Sequence, residues 1–156
     1  MTTRDYDPAT GQAFQGDVML CPVPVSLAGK LDTTDEIAPI DGRLILQEGE
    51  VTGHHHAIRL PEPTRFRDDG LARDLVAAAP VSIGTARLYR DPRLAEAMVR
   101  SGPLARADLV VAFLHVEDAP VVVTHEEHDA IRVPPGLYVI GRQIESAGAE
   151  ERVVAD

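Results

Sequence analysis

Residues 120–142 read PVVVTHEEHDAIRVPPGLYVIGR. Three runs rich in Val, Ile, Leu and Tyr are separated by a charged stretch and a Pro-Pro-Gly turn. β-Branched and aromatic residues in short runs bounded by turn formers favour strands. The reading gives a strand over Pro120–Thr124, a short one over Ala130–Val133 and a long one from Leu137 to Ile144. Pro134-Pro135-Gly136 is expected to set a hairpin.

Working outward, Leu109–Val116 is another strand, and Val81–Tyr89 alternates loosely as one. Asp17–Val23 follows Gly16, Arg43–Gln47 follows an Asp41-Gly42 turn, and His54–Leu60 ends at Pro61 and Pro63. The tail offers an edge strand at Arg152–Val154. Two short helices are expected. One covers 69–79 and stops at Pro80, and the other covers Asp91–Arg100, with Asp91 as N-cap and Pro92 in the first helical position. Residues 1–15 read as a flexible arm and 24–41 as a loop. Roughly eight strands with Gly and Pro turns predict an all-β fold, a small barrel or sandwich. The expected organisation is one barrel-like domain over 16–156, with a helical segment inserted near 64–107.

Composition narrows the function classes. The 156 residues suit one domain, and 44% hydrophobic residues supply a core. The formal charge of −10 repels phosphate backbones, so nucleic acid is disfavoured as a partner. Aromatic residues are only 4%, with no Trp, which disfavours base-stacking platforms. No apolar run approaches the roughly 20 residues that span a bilayer. The N-terminus lacks a basic-then-apolar pattern, so the expectation is a cytoplasmic protein with no membrane association. Cys21 is the only cysteine and lies in an apolar run, which points to a structural role.

Five of the six histidines form two clusters, His54-His55-His56 and His125 with His128. In an extended strand side chains alternate, so His54 and His56 share the inward face with Ile58 and Leu60. His125 shares a face with Val121 and Val123, and a turn at Glu126-Glu127 lets His128 converge on it. His54, His56, His125 and His128 are the candidate metal ligands. Glu126, Glu127 and Glu50 are candidate oxygen ligands or second-sphere partners, and Glu126 or Glu127 is the candidate general base. A nitrogen-rich set suits Zn, Fe, Ni or Cu better than Mg or Ca. His115 reads as structural. THEEH is not HExxH, since its histidines stand three apart, and no GxGxxG, P-loop or GxSxG string occurs.

The strings EGEVTGHHHAI at 48–58 and THEEHDAIRVPPGLYVIGRQIE at 124–145 resemble a family of small bacterial and phage-associated proteins of uncharacterised function. The resemblance extends to QGDVMLCPV and RVVAD, and treats residues 62–107 as an insertion. It implies that both histidine strings belong to one module. A looser likeness to cupins rests on the H-x-H pair, the later histidine and the Pro-Gly turn, and implies a metal-binding barrel. This chain departs from that pattern: the expected glutamate falls at Glu62, beyond Pro61, and the turn follows the second cluster.

The leading expectation is a barrel protein that binds a divalent transition metal and acts on a small molecule. A second is a metal-free hydrolase or phosphodiesterase, with His55 or His56 paired to His125 or His128 as acid and base and with Arg59, Arg132 or Arg142 steadying an oxyanion. The third is a non-catalytic module that self-associates as a homo-oligomer.

Overall fold

The computed structural model describes residues 2–48, 54–61, 82–147 and 150–153. Five strands make the first sheet: β1 (Thr3–Asp5), β5 (Arg43–Glu48), β6 (His55–Arg59), β9 (Val121–Thr124) and β10 (Ala130–Val133), in the order β1-β10-β9-β6-β5. Six make the second: β2 (Ala13–Gln15), β3 (Val18–Pro22), β4 (Glu36–Ile37), β7 (Ala86–Tyr89), β8 (Val110–Val116) and β11 (Gly136–Arg142), in the order β2-β3-β11-β8-β7-β4. A separate hairpin pairs β12 (Ile144–Ala147) with β13 (Glu150–Val153), the latter covering most of the expected tail strand. The fold is all-β and sandwich-like. The barrel alternative is corrected, because among the described residues each sheet keeps two edge strands and the sheets do not close on each other.

The period-2 alternation of side chains explains the second sheet. On β3, Val18 and Leu20 face the first sheet, whereas Met19 and Cys21 face the opposite layer. Tyr138 and Ile140 of β11 and Leu114 of β8 join the inter-sheet core; Val139 and Phe113 point the other way. That outer face is covered by α1 (Val25–Ala28) and α2 (Pro92–Ser101) through Leu27, Leu94 and Met98. Strands buried on both faces must be apolar throughout, which is why VMLC and LYVI show no polar alternation.

Helix α2 starts as its sequence predicts, with the Asp91 carboxylate accepting from Leu94 N–H at 3.0 Å. The helix expected at 69–79 lies outside the described residues. The second helix found is instead α1, inside the stretch read as a loop. Residues 86–89 are no appendage, because β7 sits between β8 and β4 and is paired on both sides. The supposed arm is also built in: β1 runs parallel to β10, β2 pairs with β3, and Tyr6 is buried. Pro134-Pro135-Gly136 sets no hairpin, since β10 and β11 lie in different sheets and the turn carries the chain across the sandwich. Gly136 suits that crossing: its φ is +151°, and a Cβ there would come within 3.2 Å of the Tyr138 hydroxyl. No helix among the described residues is long and apolar enough to cross a membrane.

Candidate functional site

The two histidine clusters meet. β6 and β9 are antiparallel neighbours, with Ala57 opposite Thr124 and Ile58 opposite Val123. Continuing that register by one residue sets His56 opposite His125. Two further steps set His55 opposite Glu126 and His54 opposite Glu127. The contacts follow this ladder. The His56 and His125 rings lie 4.3 Å apart between centroids, His55 N–H donates to Glu126 Oε2 at 3.0 Å, and His54 Nδ1 lies 3.5 Å from Glu127 Oε1. The loop 125–129 joining β9 to β10 folds back, so the His128 ring lies 4.6 Å from that of His125 and 6.3 Å from that of His56. His54 completes the group, edge-on to His125 at 5.6 Å.

A third element, the turn between β2 and β3, closes the floor. Gly16 turns there with φ +56°, a left-handed conformation that glycine adopts without strain. Its neighbours Gln15 and Asp17 are both buried. Gln15 Nε2 donates to the carbonyls of Val123 at 3.1 Å and Asp129 at 2.8 Å, which fixes the amide orientation. Gln15 Oε1 therefore faces His56 Nδ1 at 2.8 Å, and that nitrogen must be the donor. The other nitrogen of the ring, Nε2, meets Asp17 Oδ1 at 2.7 Å. That contact holds one further proton, on the ring or on the carboxyl. His56 is fully buried and both of its nitrogens are engaged, so it clamps the two sheets together.

His125 is fixed differently. Its side chain is buried, and Nδ1 accepts the Glu127 N–H at 3.0 Å. Its Nε2 faces Glu126 Oε2 at 4.0 Å. Burial alone would raise the Glu126 carboxyl. The N–H groups of Glu126 itself and of His55, with His125 and His54 nearby, outweigh it and hold the carboxyl below its ordinary value. One donor atom each from His54, His125 and Glu126 lie within 4.8 Å of one another, close enough to share an ion. His54 and Glu126 are partly exposed, with side chains 30% and 48% accessible, so solvent reaches this group from one side.

Of the predicted ligands, His54 and His125 therefore enter the compact donor group and Glu126 joins them. His56 and His128 pack beside it. Glu127 sits at the rim against His54. Glu50 lies outside the described residues. His115 stands on β8 in the other sheet, between Arg87 and Leu137, and Cys21 is buried under the helices. Arg132 is paired with Asp5. Gln15 and Asp17 were missed as site residues. Their signal was available, because two polar residues flank a glycine at the entrance to an apolar strand.

Residues 14–91 and 84–143 match the family described as a domain of unknown function, DUF8820. Each histidine string lies in one matched span, and the middle segment read as an insertion is matched too. No curated protein and no solved structure matches the chain. With the matched spans covering well over half of its length, the chain belongs to the DUF8820 family.

Proposed function

We propose that this domain binds a divalent transition-metal ion at one end of its sandwich, through His54, His125 and Glu126. His128 would be an additional nitrogen donor at the edge of the group. The observation that supports the reading is the convergence of three donor atoms from two hairpins within 4.8 Å. Two imidazoles and one carboxylate suit Zn²⁺, Fe²⁺, Ni²⁺ or Cu²⁺. In this reading His56, held by Gln15 and Asp17, is a support against which the His125 ring packs, and Glu127 orients His54 or serves as a base. Three protein ligands leave a coordination position open toward solvent, where a small-molecule substrate would reach the ion.

The test is metal uptake by untagged protein, followed by calorimetry with Zn²⁺ and by Co²⁺ absorption. About one equivalent per chain is expected, and it should be lost in the His54→Ala/His125→Ala double variant. Uptake below a tenth of an equivalent, or uptake unchanged in that variant, removes the proposal. A chelator-resistant hydrolytic activity in metal-free protein would instead favour the acid–base alternative.

A further inference from the structure

The hydrogen bond within the 125–129 loop bears on how such a site would fill. His125 Nδ1 accepts the Glu127 N–H, so that nitrogen carries no proton. A neutral imidazole then carries its proton on Nε2. Neither nitrogen offers a lone pair to an ion in this arrangement. Coordination through Nδ1 displaces the Glu127 N–H directly. Coordination through Nε2 moves the ring proton to Nδ1, where it would point at the Glu127 N–H and expel it. Metal-bound histidine normally donates its second nitrogen to an acceptor, and here that nitrogen faces a donor.

We infer that the turn bond from Glu127 N–H to His125 Nδ1 is a latch that metal entry must open, so that occupancy and the shape of loop 125–129 are linked. The inference rests on the metal reading above. The ends of the loop limit how far the change travels. Asp129 is pinned on both sides of its residue: its carbonyl accepts from Gln15 Nε2 at 2.8 Å, and its carboxylate accepts from Thr2 N–H at 3.0 Å. At the other end, Thr124 is held to β6 by register and by its hydroxyl on the Ala57 carbonyl at 3.2 Å. The rearrangement is thereby confined to residues 125–128, which carry Glu126, Glu127 and His128 along with His125.

Zinc alone, titrated into the ¹⁵N-labelled 156-residue chain, tests the latch. Before zinc, long-range proton–nitrogen correlation should show the His125 proton on Nε2. With zinc, the Glu127 amide should shift and lose protection from hydrogen exchange, while amides of Ala130–Val133 stay in place. Glu127→Pro removes the N–H and should bind zinc about three- to tenfold more tightly than Glu127→Ala, which lacks the same carboxylate but keeps the N–H, the scale of one net hydrogen bond. Glu127→Ala keeps the N–H and should leave the zinc-free His125 tautomer unchanged, which retains a test if the proline variant does not fold. Zinc bound at His125 with the Glu127 amide unmoved overturns the latch and leaves the metal reading standing. A zinc-free tautomer with the proton on Nδ1 overturns it as well. Absence of zinc uptake overturns both.

Discussion

Asp17 and Gln15 carry much of the meaning of this site, although neither would touch an ion. A buried ring with a polar partner at each nitrogen needs both, since a stranded polar group in the interior is expensive. Asp17→Asn should therefore destabilise the fold by about 3 kcal/mol, read as a lower urea midpoint at constant slope. Gln15→Ala strips two buried hydrogen bonds to the facing sheet and a part-buried one to the β9–β10 loop, and should also cost about 3 kcal/mol. Glu126 adds a pH dependence. Its carboxyl lies below the ordinary value when folded, so its contribution is present above the unfolded value and disappears as pH falls through the folded one. The stability gap between the parent and Glu126→Gln should thus close on acidification, as seen in denaturant midpoints from pH 7 to 3. The gap itself will be small, because the side chain is half in water. At this scale the sequence was legible for histidine and glutamate, whose clustering is visible along the chain. For Gln15 and Asp17 it showed only two polar residues flanking a glycine, and what they hold became visible once the β2–β3 turn packed against His56 of the other sheet.

At the scale of elements, the ladder between β6 and β9 made two remote strings into one site. Both strands were readable from their Val, Ile and Ala content, but their adjacency was not. Pairing depends on which strand lies beside which, and local pattern carries no record of that. The same gap explains the Pro-Pro-Gly turn: a hairpin and a crossing between sheets need the same turn chemistry. It also explains why β1 and β2 read as an arm, since three-residue edge strands bury too little to leave an apolar trace. Helix α2 was the reverse case, because its cap is local. Asp91 bonds Leu94 N–H with one carboxylate oxygen and Asp32 N–H with the other, at 2.8 Å. Asp91→Ala should cost about 1–2 kcal/mol and lower the thermal midpoint, with the fold retained in circular dichroism.

For the whole molecule, two cores stack through one sheet, the inner one between the sheets and the outer one beneath the helices. The inner core holds two tyrosines whose ring centroids lie 5.8 Å apart. Burial pushes the Tyr138 phenol up to about 12; burial first, with Cys21, Tyr138 and Asp7 nearby, raises Tyr6 as well. A raised folded value contributes stability that is complete below the ordinary phenol value of about 10 and is lost as pH climbs through the folded one. Unfolding midpoints should accordingly be flat across neutral pH and drop between pH 10 and 12, less steeply in Tyr138→Phe. If the site takes up an ion, zinc at a hundredfold excess over its Kd should stabilise the fold by about 2.7 kcal/mol, and a chelator should reverse the gain. The bond from Thr2 N–H to the Asp129 carboxylate has a practical side. Any polypeptide fused ahead of Thr2 emerges beside Asp129, the residue that follows His128. An oligohistidine handle placed there would supply imidazoles of its own and counterfeit the very binding one set out to measure, so affinity handles belong elsewhere or must be cleaved away.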